Sequence, residues 1–191
     1  MFDVCQVLCP HLPAWIDAGS SFAGFYQRLH ETGHRLWFYS CRGPARLLDP
    51  YAYHRLQPWY CWKYGAEGSA FWAFTDSSGA SSWNEYPARL GAYTPLFLDA
   101  KTVTTGKHWE AVREGVEDYE YLRMLGDRLP PAQPTAASAA ISTGRQLLTS
   151  EVDRVTSATA SSAAQFWSVK KDRTLADRVR VQVLDAMVEL K

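Results

Sequence analysis

Three short β-prone segments, separated by stretches long enough for a helix, constrain this chain more than any other feature. Residues 2–9 are apolar, and Pro10 and Pro13 close them. Ser20 or Ser21 is expected to cap a helix bearing Phe22, Phe25, Tyr26 and Leu29 at helical spacing, and Gly33 ends it. Residues 35–41 form the second strand-like run, broken by Gly43-Pro44. Residues 51–64 carry Tyr53, Leu56, Trp59, Tyr60 and Trp62 on a helix-like segment, which Pro58 is expected to kink or split. Gly65 and Gly68 then lead into a third strand over residues 70–74. Strand, helix, strand, helix, strand is the order of βαβ crossovers and a parallel sheet. In such sheets the chemistry sits at the C-terminal strand ends.

The rest of the chain reads differently. Residues 76–83 are rich in Ser and Gly and are expected to form a loop on the C-terminal side of the third strand. A short extended piece follows over residues 93–98. A helix is predicted to start near Thr104 or Thr105, with Trp109, Val112, Val116, Tyr119 and Leu122 as its apolar stripe. Gly126 and the Pro130-Pro131 pair stop it. Residues 141–168 and 174–190 are expected to be helical, the latter with a capping-box-like start at Thr174 and Asp177. Its stripe is Leu175, Val179, Val183, Met187 and Leu190. The predicted organisation is therefore residues 1–127 as one β/α unit, 128–140 as a linker and 141–191 as C-terminal helices.

Composition narrows the function classes. Lys and Arg number 20, as do Asp and Glu, so no basic excess points to nucleic acid or an anionic membrane. The longest apolar runs fall far short of the ~18 residues that span a bilayer. Residues 1–20 lack the pattern of a secretory signal, which leaves the compartment open. At 191 residues the chain holds a substantial core but is shorter than a complete eight-fold β/α barrel of about 250. Eight Trp, ten Tyr and eight Phe are concentrated before residue 122, and such rings either stack on sugars or fill cores. Cys5, Cys9, Cys41 and Cys61 show no metal-ligand spacing, so buried free thiols are expected and no metal site.

Chemical candidates sit near the strand exits. Tyr39, near the end of the second strand, can donate a hydrogen bond; Trp72, in the third, is either a sugar platform or core. Asp76 follows the third strand directly and is placed to accept from a hydroxyl. Asn84-Glu85 has the residue types of a glycosidase acid/base site but lies in the loop, where a solvated carboxylate is expected. Glu117-Asp118 are neighbours on a helix, about 100° apart, so they cannot converge on one atom and read as a solvated or salt-bridged face. His54 and His108 are isolated and read as structural. No phosphate loop, dinucleotide fingerprint or nucleophile elbow occurs, and no cofactor is implied.

Trp37-Phe-Tyr39, Pro50 with Arg55 and Trp59, Trp62-Lys-Tyr-Gly65, Gly68, Trp72 and the helix motif Arg113-Glu-Gly-Val-Glu-Asp-Tyr-Glu-Tyr-Leu122 resemble glycoside hydrolase family 123. The resemblance is to the C-terminal part of its catalytic domain and covers roughly residues 1–127. It implies an α/β fold: the C-terminal portion of a (β/α)8 TIM-like barrel, about three parallel strands with helices, followed here by further α-helices. It implies action on N-acetylgalactosaminides by a retaining, substrate-assisted route, in which an Asp orients the acetamido group and a neighbouring Glu is the acid. No strand-end Asp-Glu pair occurs in this chain, so no catalytic residue carries over and the chain is expected to be inactive alone. Implied wall residues of a glycan site are Trp72 and Trp59 for stacking, Tyr39 and Asp76 for hydroxyls, and Arg55 as a substrate contact or internal ion pair. The implied partners are the glycan and the missing N-terminal barrel half. Full-length relatives are often exported. The alternative reading is a non-catalytic carbohydrate-binding or structural module.

Overall fold

The structure is a computed structural model that describes residues 4–88, 91–131 and 138–190. Three strands, β1 (Val7–Leu8), β2 (Arg35–Cys41) and β3 (Gly68–Trp72), form a parallel sheet in the order β1-β2-β3. Helix α1 (Leu12–Glu31) links the first two. A wide π-helical turn (Tyr51–Arg55) running into α2 (Leu56–Tyr64) links the second and third. The fold is mixed α/β, as the order of segments implies.

Local departures from the sequence reading have physical causes. Helix α1 starts well before Ser20, because Pro13 occupies the first turn, where its missing N–H costs nothing. Gly19, at φ 68°, then kinks the helix just ahead of the expected serine start. Pro58 does not split the second helix; the loose π turn immediately before it avoids the clash a proline makes with the preceding turn. The third strand lies two residues earlier than residues 70–74. The expected first strand shrinks to a two-residue pairing, and residues 2 and 3 lie outside the described residues. The 93–98 piece yields β4 (Phe97–Leu98), antiparallel to β5 (Val103–Thr104).

One face of the sheet is covered and the other is not. Leu36, Phe38 and Ser40 alternate onto the covered face and are all 0% exposed. Trp15 of α1 packs edge-on against Phe38 at 4.9 Å, in a cluster with Leu12, Tyr60 and Cys61. Buried Ser40 donates to Gln57 Oε1 at 2.6 Å, and the Gln57 amide donates to Ser69 and to the Ala70 carbonyl, both at 2.8 Å. This polar chain fastens β2 to β3 through α2. The opposite face carries Val7, Trp37 and Trp72, which are 36–49% exposed. Parallel sheets are normally covered on both sides. Of the cysteines expected to be buried, only Cys61 is, while Cys5 and Cys9 are exposed beside this open face; all four are free thiols.

Helix α3 (Lys107–Arg128) begins after Gly106 and turns a different side inward from the expected stripe. Its buried residues are His108, Ala111, Gly115, Asp118, Leu122 and Leu125, whereas Val116 is 52% exposed. Gly115 explains the rotation: a Cβ there would stand 2.7 Å from the Arg55 carbonyl oxygen, so only glycine permits this approach to the π turn.

The C-terminal helices α4 (Ala139–Gln146), α5 (Val152–Ser157) and α6 (Leu175–Glu189) join that packing. The expected 141–168 helix is broken by a π turn at Leu147–Glu151 and a short 3-10 turn at Ser162–Gln165. Leu175, Val179, Val183 and Met187 point inward, as their spacing requires, and share one core with Tyr51, Leu56, Trp59 and Leu122. The segment expected as a linker falls partly on residues 132–137, outside the described residues. The capping box does not form; Asp172 instead accepts from the Thr174 N–H at 2.9 Å and its hydroxyl at 2.8 Å. Among the described residues no helix is long and apolar enough to cross a membrane.

Candidate functional site

The strand exits bring residues from three elements together on the open face. Tyr39 is in register with Ala70 and Cys41 with Trp72, so Tyr39 and Trp72 project from the same side of adjacent strands. The indole N–H of Trp72 donates to Asp76 Oδ2 at 2.7 Å, and the Ser78 N–H donates to Asp76 Oδ1 at 2.9 Å. These two donors, the Ser78 amide first, hold the Asp76 carboxyl below its usual range, so it remains an acceptor at neutral pH. Desolvation, helped by the neighbouring Cys41 thiol, pushes the Tyr39 hydroxyl up to about 12 and keeps it a donor. His11, at the end of β1, accepts the Cys41 N–H on Nε2 at 3.2 Å, and its ring lies 6.1 Å from that of Tyr39. An accepting Nε2 is unprotonated, which makes His11 a neutral ring. The result is a rim with an exposed indole, a hydroxyl donor and a carboxylate acceptor.

Trp59 and Arg55 lie elsewhere, and Trp59 corrects the sequence reading. Its ring is 1% exposed inside the helical core, with Nε1 donating to Asp118 at 3.0 Å, so it offers no face to a sugar. Arg55 takes the internal role: its Nε–H donates to Asp118 at 2.8 Å, and Nη1 pairs with Glu114 at 3.1 Å and Asp177 at 2.6 Å. Asp118, expected on a solvated or salt-bridged face, is a buried acceptor for Arg55, Trp59 and Arg180. Sequence spacing could not show this, because the partners lie about sixty residues away in the chain.

A larger hollow lies beyond the same strand ends. Its volume is about 540 Å³, and it is walled by the 82–86 loop, the 94–97 segment and the start of α3. Trp83 stacks on Phe97 with ring centres 4.7 Å apart. Glu85, expected to be a solvated loop carboxylate, has a side chain only 15% exposed; Oε1 accepts the Arg46 N–H at 2.8 Å. His108 also lines the hollow, and burial lowers its pKa to about 4. Tyr39, Arg55, Trp59, Trp72 and Asp76 do not. Among the described residues no cluster of His, Cys, Asp and Glu could hold a metal ion. Comparison with family models, with curated proteins and with solved structures finds no match to this chain.

Proposed function

We propose that residues 1–127 are the C-terminal part of a glycoside-hydrolase-like (β/α)8 barrel that acts on N-acetylgalactosaminides or related glycans. The observation that carries this reading is the sheet with one face sealed by helices and the other open, with Tyr39, Trp72 and Asp76 at its C-terminal rim. In a closed barrel that open face would be the interior, and the rim would be part of the substrate mouth. Trp72 is the sugar platform, its exposed indole held in place by Asp76. Tyr39 and Asp76 supply one donor and one acceptor for hydroxyls. Hydrolysis needs an acid and an orienting carboxylate at the strand exits; Asp76 is the sole carboxylate of this rim among the described residues, so the catalytic pair comes from the other barrel half.

The test combines binding and turnover. Titration with N-acetylgalactosamine should quench Trp fluorescence, and Trp72→Ala should abolish the change. The purified chain should release no leaving group from a chromogenic N-acetylgalactosaminide; rapid release would overturn the proposal. The shared core between the C-terminal helices and α2 favours a second reading, a self-standing carbohydrate-binding module. Sugar binding together with a stable monomer would select it.

A further inference from the structure

The 540 Å³ hollow has the parts of a second ligand site, separate from the Tyr39–Trp72 rim. Its volume falls in the ~300–1,000 Å³ range of small-molecule pockets. Trp83 rests on Phe97 and is still 54% exposed, which leaves ring surface for a ligand to stack on. Gly106, Lys107 and His108 open the 22-residue helix α3 into the same hollow. Gly106 provides no side-chain cap, so the positive end of the helix dipole stands at the wall of the hollow without a capping side chain. His108 is 9% exposed, lines the hollow, and has a buried Nδ1 without a hydrogen-bond partner among the described residues. His108 belongs to the first turn of the same helix, so this unpaired ring nitrogen adds an unsatisfied polar group to the wall formed by the helix start.

The charges set the ligand class. Glu85 is the single carboxylate of the lining among the described residues, and it is engaged by Arg46 through the backbone N–H at 2.8 Å and the guanidinium at 3.7 Å. Arg46 also lies over the Tyr86 ring at 4.5 Å. Lys107 is exposed; its ammonium lies over the Trp167 ring at 4.6 Å, outside the lining of the hollow, and has no carboxylate ion-pair partner among the described residues. Glu110 in the first turn is paired with Arg113 at 2.9 Å. One ammonium and one helix end therefore stand against no unpaired acid. We propose that this hollow binds a sugar carrying a single negative charge, a uronic acid, with its ring on Trp83 and its carboxylate at the start of α3 near Lys107 and His108. The usual two-carboxylate schemes of glycoside hydrolysis need a second carboxyl group in the site, so the proposal is for binding and not for cleavage.

Calorimetric titration of the whole chain with galacturonic and glucuronic acids, galactose, N-acetylgalactosamine and inorganic sulfate tests this. The expected result is binding of at least one uronate and, in the Trp72→Ala chain that lacks the rim platform, about tenfold weaker binding of the neutral sugars. Lys107→Met and Trp83→Ala, both at exposed side chains, should each weaken the uronate about tenfold, while Trp72→Ala should leave it unchanged. Absence of uronate binding at about 10 mM, equal binding of neutral sugars by the Trp72→Ala chain, or indifference to Lys107→Met would overturn the proposal. Sulfate binding as tightly as the uronates would also overturn it, since the stacked ring would then contribute nothing. Failure at Trp72 with N-acetylgalactosamine touches only the rim, so the two readings fail separately.

Discussion

Asp118 accepts the Nε–H of Arg55 at 2.8 Å, with side-chain exposures of 0% and 4%, and this pair joins α3 to the turn that follows β2. Arg180 of α6 donates to the other carboxylate oxygen, so one aspartate ties three elements together. Asp118→Ala would strand a buried guanidinium, a change that typically costs about 3–5 kcal/mol. Glu114 and Asp177 still face Arg55, which places the expected loss near the lower end. Urea unfolding measures it; a loss below about 1 kcal/mol would show the pair to be dispensable.

Gly115→Ala tests the close approach of the same helix. The added methyl would meet Arg55 Cα at 3.0 Å as well as its carbonyl oxygen at 2.7 Å, and backbone cannot swing aside as a side chain can. Alanine favours helix by up to about 1 kcal/mol, yet overpacking costs about 1–3 kcal/mol. Net destabilisation is expected in thermal unfolding, and a gain in stability would contradict the packing.

Two buried histidines make stability depend on pH. Burial, with repulsion from His108, lowers His54 from 6.5 to about 3; burial, with repulsion from Lys107, lowers His108 to about 4. Folded-state values below the unfolded value mean that the unfolded chain binds the extra protons. The neutral rings therefore carry no penalty above pH 6.5, and stability falls as the pH drops through 6.5 toward 4 and then 3. At about pH 5 each histidine should cost roughly 2 kcal/mol relative to neutral pH. His54→Leu should remove part of the slope in urea midpoint between about pH 7 and pH 5, and an unchanged slope would refute the assignment.

The open sheet face predicts association. Val7, Trp37 and Trp72 lie uncovered, and β1 and β3 each have an outer edge without a partner strand among the described residues. Sedimentation velocity should show concentration-dependent self-association, weakened by Trp37→Lys. A single monodisperse monomer at every concentration would count against a face built to be covered.

How much of this was readable before folding depends on the range of each interaction. The strand at residues 35–41 was legible from its β-prone run, its two unlike faces were not, and the spacing of α6 predicts its buried stripe correctly. The position of Asp76 directly after the third strand was also legible, while its hydrogen bond to the Trp72 indole emerges only in the structure. The fate of Trp59, Arg55 and Asp118 was not. An aromatic and an arginine serve a sugar or a core equally well until partners sixty residues distant arrive.

Periodicity and punctuation by Gly and Pro were enough to determine a parallel β/α order and a helical C-terminal part, since those signals act within a few residues. Which side of α3 turns inward, and whether Glu85 is solvated or held by Arg46, was decided only by tertiary packing. Gly115 has no side chain to register in a hydrophobic pattern, yet its bare backbone lets α3 approach the π turn and bury Asp118. An attraction that exists only after two helices meet leaves no periodic trace along either one.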